Sequence, residues 1–244
     1  MQTKPIGNKL NKRTLLSLVL IVFLIPATIW FGIHFLNDRS YYFISLLIVI
    51  YTTIPFFMVF ENRKPQAREL IILAVMVAIA VAGRAAFFMI PQFKPVTAIV
   101  IIAGVCMGAE SGFLVGSMTA FVSNFFFGQG PWTPWQMFSF GIIGFIAGIL
   151  FKKGRLKKNK LSLCIYGGIS TIVVYGGIMN ISSVMMMSPK LNIPILIAAY
   201  STGIWFDLIH AFATVIFLYF ISDSMIEKLD RVRFKYGLMY RDYE

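Results

Sequence analysis

Val96 to Phe127 reads VTAIVIIAGVCMGAESGFLVGSMTAFVSNFFF, and the fold turns on whether this is one helix or two. As one helix it would run roughly 48 Å at about 1.5 Å per residue, well beyond the ~30 Å of a bilayer core. Gly108-Ala109-Glu110-Ser111-Gly112 lies at its middle and supplies the only charge of the stretch, which is a turn signal. Two short spans are therefore expected, Val96–Met107 and Phe113–Phe127.

A span needs about 20 apolar residues, and the flanking sequence supplies several. Before the stretch come Leu15–Leu36, Tyr42–Phe60 and Leu70–Ile90, the last ended by Pro91; after it come Trp135–Phe151, Leu161–Met187 and Ile195–Ile221. With 58% hydrophobic and 13% charged residues, against about 25% charged in soluble domains, the chain reads as an all-α integral membrane protein of eight spans. The run from Thr14 to Leu36 is too long for a signal peptide and lacks a small-x-small cleavage site, so an uncleaved span is expected.

The charges test the span count. Lys4, Lys9, Lys12 and Arg13, then Arg63, Lys64 and Arg68, then Lys152, Lys153, Arg155, Lys157, Lys158 and Lys160, then Lys228, Arg231, Arg233, Lys235 and Arg241 all fall on one side only if Val96–Phe127 is split. The opposite loops then hold just Arg39, Lys94 and Lys190. The positive-inside bias places both termini in the cytoplasm and the Gly128–Trp135 loop outside. The net charge of +12 is thus a topology signal, and no nucleic-acid partner is expected. Cys106 and Cys164 sit in separate apolar segments without CxxC or His spacing, so they read as packing residues with neither disulfide nor metal.

The outward loop lies within FVSNFFFGQGPWTPWQMF, Phe121 to Phe138. Asn124, Gln129, Thr133 and Gln136 set neutral hydrogen-bonding groups beside large aromatic faces, including Trp132 and Trp135. That suits a wall and lid over a flat, partly polar small molecule, stacking on a ring system rather than gripping an anion. An interfacial aromatic belt would use the same residue types, and both readings stand.

Few ionisable groups lie inside spans: Arg84, Asp207 and His210, with His34 near an end. Such groups are costly in lipid and are functional candidates. Asp207 and His210 share a helix face. Arg84 and Asp207 are expected to be coupled, as an ion pair or through a shared ligand. Tyr166, Tyr175, Gly176, Gly177 and Asn180 give polar and small positions suited to lining a cavity, and Met185-Met186-Met187 could pack on a ligand. Gly104/Gly108, Gly112/Gly116 and Gly144/Gly148 repeat a small-xxx-small pattern that fits close helix packing. Ala74, Ala78 and Ala82 line one face of the Leu70–Ile90 span, a smooth contact for another protein. No HExxH, GxSxG or Walker sequence occurs, and no catalytic residue is expected.

From about Glu69 onward the chain resembles the membrane-embedded substrate-binding subunit (S component) of an energy-coupling-factor (ECF) vitamin transporter. The likeness rests on six compact spans, the AxxxAxxxA face at Ala74, Ala78 and Ala82, the FKPVTAIVIIAGVCMGAESGFLVG stretch, and NFFFGQGPWTPWQM, which is similar to a cobalamin-type branch. It implies a six-helix core over 69–222; the two additional transmembrane helices expected in 1–68 depart from the family's usual six, and a cytoplasmic tail is expected over 223–244. It also implies a multi-pass protein of a bacterial plasma membrane that works with a transmembrane coupling protein and two ABC-type ATPases. The alanine face would contact the coupling protein. Arg84, Asn124, Gln129, Trp132, Trp135, Gln136, Tyr175, Asn180, Asp207 and His210 are the candidate substrate contacts. Two other classes remain: an autonomous secondary transporter using Arg84, Asp207 and His210 as an ion relay, and an intramembrane enzyme built on Asp207 and His210.

Overall fold

The computed structural model describes residues 67–152, 154–187 and 192–236, with isolated positions at 23, 26, 27, 30 and 47. The spans expected at Leu15–Leu36 and Tyr42–Phe60 lie outside the described residues, as do Lys153, Lys190 and everything after Tyr236. Six helical segments follow one another: α1 Ala67–Ala86, α2 Val96–Met107, α3 Ala109–Phe127, α4 Thr133–Lys152, α5 Lys160–Met187 and α6 Ile193–Lys235.

The split at Gly108 is real and sharper than expected. One glycine at φ 96° ends α2 and begins α3, so Glu110 falls in the first turn of α3 instead of in a five-residue loop. Only glycine adopts that backbone freely. α2 is apolar on every side, and all of it but Met107 is buried, as an all-round hydrophobic helix must be. It forms the axis of the bundle and packs against α1, α3, α4, α5 and α6. Among the described residues, four helices (α1, α4, α5 and α6) are long and apolar enough to cross a membrane. α3 carries Ser111, Ser117, Thr119, Ser123 and Asn124 buried inside the protein, where protein groups rather than lipid surround them.

Three glycines bring α2, α3 and α4 together. A Cβ on Gly112 would stand 2.5 Å from the Gly144 carbonyl oxygen and 2.6 Å from the Gly104 Cα, and one on Gly116 would stand 2.5 Å from the backbone of Phe140. The small-residue pattern is bundle packing. Hydroxyls add to it: Ser117 donates across helices to the Met137 carbonyl at 3.0 Å, and Tyr166 to that of Ile143 at 2.6 Å.

Helix ends follow local chemistry. Asn159 and Asn192 cap α5 and α6 by accepting from the Ser162 and Ile195 amides at 2.8 and 2.9 Å, the usual use of Asn at a helix start. α1 stops at Ala86, short of the expected Ile90. Residues 87–90 form turns that bond back to Gly83, Ala85 and Phe87, because Pro91 disfavours helix in the residue before it. α5 contains a π-helical segment, Thr171–Gly176. α6 runs 43 residues, so the segment expected as a tail from 223 is helical as far as Lys235. Its end meets the start of α1, where the Arg68 guanidinium lies 5.2 Å over the Tyr236 ring.

Gly144→Leu is expected to abolish the folded monomer in detergent, because its side chain has nowhere to go between three backbones. Gly177→Ala, whose Cβ meets nothing within 4 Å, should be neutral or raise stability by about 0.4–1 kcal/mol. Size-exclusion profiles and thermal unfolding of the two variants check both.

Candidate functional site

At the end of the bundle that carries the α3–α4 loop, polar side chains from all six of the described helices collect in one layer around Tyr175. The last turn of α1 points Arg84 at α3, where its guanidinium donates to Asn124 Oδ1 at 2.8 Å and to Ser123 Oγ. Asn124 is fully buried. Its amide nitrogen donates to Thr133 Oγ1 and Gln136 Oε1, each at 2.9 Å. One amide thus ties α1, α3 and α4 together with its oxygen turned to the cation and its nitrogen to the acceptors. Thr133 also accepts from the Gly130 amide at 3.2 Å, fixing the turn that begins at Gly128 with φ 106°. The Phe127 ring lies under the Arg84 guanidinium at 5.1 Å.

Tyr175, in the π segment of α5, is the hub. Its phenol lies against the Gln136 side chain and within electrostatic range of both Arg84 and Asp207. Its ring packs on Phe140 at 4.7 Å and receives His210 edge-on at 4.5 Å. His210, only 4% exposed, exchanges a hydrogen bond with Thr97 at 2.8 Å through Nε2. Its Nδ1 finds no hydrogen-bond partner, an arrangement rare enough in buried groups to ask for an explanation. Beyond Tyr175, Asn180 donates to Asp207 Oδ2 at 2.9 Å. A Cβ on Gly176 would come within 2.6 Å of that carboxylate, so glycine is what lets α6 bring it in.

The direct Arg84–Asp207 ion pair does not form. Arg84 faces α3 and Asp207 faces α5, and each is met by an amide closer at hand. Asp207 and His210 share a helix face but take separate partners. Gln129 is exposed and donates to the Phe121 carbonyl at 3.1 Å, closing the end of α3 rather than entering the layer. Trp132, 38% exposed, lays its ring on Gly130. Trp135 is 1% exposed and packs with Phe113, Phe138, Phe145 and Met185, supporting the layer from behind. Ala74, Ala78 and Ala82 are exposed beside Ile71, Val75 and Ile79, on the face opposite the buried Leu73, Met76 and Ala80.

Three members of the layer escaped the sequence reading: Ser123, Thr97 and Lys94. Thr97 had a signal, as the lone hydroxyl in an otherwise apolar helix. Lys94 donates to the Ile90 carbonyl at 2.9 Å and lies within electrostatic range of Arg84 and His210. Partial burial, and then the like charge of Arg84, hold its ammonium below the usual lysine range. Among the described residues no three His, Cys, Asp or Glu side chains converge as metal ligands. A cavity of about 150 Å³ at the opposite end, lined in part by Cys106, Gly108, Lys158 and Arg233, holds none of the candidate residues. What the layer offers chemically is recognition, through fixed donors, a buried cation and aromatic faces.

Comparison with known proteins adds an independent line. A family model described as the substrate-specific component of ECF transporters matches residues 68–226. A UPF0397 protein of Aliivibrio fischeri (strain MJ11) is 25% identical over 176 residues, which cover 67% of this chain and 92% of the relative. A UPF0397 protein of Vibrio atlanticus (strain LGP32) is 27% identical over 125 residues, covering 48% and 68% respectively. No solved structure matches.

Asn124→Leu should strand the Arg84 guanidinium, since removing one partner of a buried charge costs more than the pair contributed. In a double-mutant cycle on thermal or denaturant stability, Arg84→Gln with Asn124→Leu is expected to couple by at least about 0.5 kcal/mol. The ligand-free cycle of Arg84→Gln with Asp207→Asn should be additive to within about 0.5 kcal/mol.

Proposed function

The chain belongs to the family of substrate-specific components of ECF transporters, and from that premise we propose that it captures a vitamin- or cofactor-like micronutrient on the outer face for ATP-driven uptake. The family supplies the coarse frame of a multi-pass membrane protein working with ECF transmembrane and ATPase components. Within it, the observation that carries the site assignment is the polar layer around Tyr175. The six described helices bring together there side chains that would be expensive in lipid.

In this reading Arg84, Asn124, Gln136, Tyr175, Asn180, Asp207 and His210 line the substrate site, with Trp132 at its rim. Trp135 holds the wall in place, and Gln129 fixes the loop. The ligand is a small molecule with an aromatic or conjugated face; the likeness of NFFFGQGPWTPWQM to a cobalamin-type branch makes a corrinoid the first to try. The positive-inside count supports an outward-facing loop and cytoplasmic termini. The exposed alanine face of α1 supports docking of the transmembrane coupling protein, because small side chains allow another helix to approach closely without an apolar driving force. Energy would come from a pair of ABC-type ATPases. The alternative of an ion-coupled carrier needs Arg84, Asp207 and His210 to pass a charge among themselves, yet they sit in three separate hydrogen-bonded sets.

The deciding experiment is uptake in vesicles. Transport that requires ATP and the coupling and ATPase subunits supports capture; transport by the chain alone on an ion gradient refutes it. Ala78→Trp should abolish uptake and leave binding to the isolated subunit unchanged. Equal loss of both would mean that the face packs internally. Trp132→Ala should weaken binding by roughly tenfold if about 1.4 kcal/mol of stacking and burial is lost. Trp135→Ala should instead destabilise the protein by about 3–5 kcal/mol, as truncation of a fully buried aromatic does.

A further inference from the structure

The substrate layer carries more positive charge than its own side chains answer. Arg84 is half-buried, and its hydrogen-bond partners, Ser123 and Asn124, are both neutral. Lys94 enters from the α1–α2 loop, gives one proton to a backbone carbonyl and faces Arg84 closely enough to be repelled by it. The layer's carboxylate, that of Asp207, bonds to Asn180 and forms no ion pair with Arg84. Asn124 turns its oxygen to Arg84 and spends both amide protons on Thr133 and Gln136, which holds the guanidinium still without neutralising it.

Two like charges brought together at partial burial cost free energy unless a counter-charge joins them. A guanidinium fixed by neutral groups is the donor fork that matches a carboxylate or phosphate. Loose surface lysines do not reproduce this arrangement, because here the cation is held by a fully buried amide and backed by the Phe127 ring.

Building on the capture role, we propose that the substrate bears an anionic group, carboxylate or phosphate, which Arg84 and Lys94 receive on the α1 side of Tyr175. The aromatic loop then meets the remainder of the molecule, and Asp207, bonded to Asn180, leaves the Arg84 charge to the incoming anion. Arg84 is the specificity determinant and Lys94 its partner from the loop.

The test uses the full chain purified in detergent, with sodium acetate and inorganic phosphate as probes, each titrated against chloride at constant ionic strength. Thermal unfolding is the readout, since a ligand that binds only the folded state raises the midpoint as its concentration passes Kd. A saturable rise with acetate or phosphate in the wild type, reduced by at least half but still measurable in Lys94→Gln and absent in Arg84→Gln, supports the assignment. The anion that acts names the group. Lys157→Gln, a change in the basic loop at the other end of the bundle, should keep the full rise. If Arg84→Gln does not fold, the wild type and the exposed-loop variant Lys94→Gln decide by themselves. No saturable anion effect in the wild type, or an equal effect in Lys94→Gln and Arg84→Gln, overturns the inference. Because capture is judged by ATP-dependent uptake in the assembled transporter, a chain that imports but shows no anion effect would lose only this assignment.

Discussion

The contact of three backbones at Gly104, Gly112 and Gly144 is the constraint from which the rest of the bundle follows. In lipid, helices gain nothing from leaving one apolar medium for another, so association depends on close packing and on hydrogen bonds across helices. Removing every side chain from the α2–α3–α4 crossing brings peptide groups into van der Waals contact. That proximity lets a short α2, buried along all but its last residue, serve as axis. It also sets the α3–α4 hairpin firmly enough for its far end to hold Asn124, Thr133 and Gln136 in one hydrogen-bonded set.

Stability and recognition are divided along the length of α3 and α4. Near the glycine crossing the helices are joined by packing and by hydroxyl-to-carbonyl bonds such as Ser117 to Met137. Toward the loop the same pair opens to amides and a cation, where interactions have direction and leave groups such as His210 Nδ1 unpaired. Sites that bind pay for function with incomplete satisfaction of their own polar atoms, and in the layer around Tyr175 that cost falls on His210 Nδ1.

The helical segments over 67–235 could be read from hydropathy, and the break at Gly108 from a single charge beside two glycines, because length and burial in lipid leave the chain few options. The packing role of the glycines was legible for the same reason. The partners inside the layer were not. Helical spacing tells which residues share a face, as for Asp207 and His210, but not which neighbour that face meets. Arg84 therefore looked for the only carboxylate within reach in the sequence, while the folded chain gave it Asn124, forty positions on. Trp135 misled differently: amino-acid type suggested a lid, whereas one turn of helix rotates it into the Phe113–Phe145 cluster and leaves Trp132 at the surface. The early stop of α1 at Ala86 turned on local turns before Pro91, which hydropathy does not resolve.

The π segment at Thr171–Gly176 has a consequence for how this chain can vary in length. A π turn holds more residues than an α turn, so the two halves of α5 are out of phase with each other. The first half aligns Gly167 with Leu218, and the second aligns Gly176 with Asp207. Deleting one residue there would let the helix relax to a uniform α form with both faces kept, whereas winding the same residues as uniform α would turn everything beyond by about 100°, one residue's rotation. Asn180 would swing away from Asp207, yet the number of spans, the loop charges and the hydropathy profile would hardly change. A relative with a one-residue gap at this point can therefore present the same wall to its ligand on a uniform α-helix.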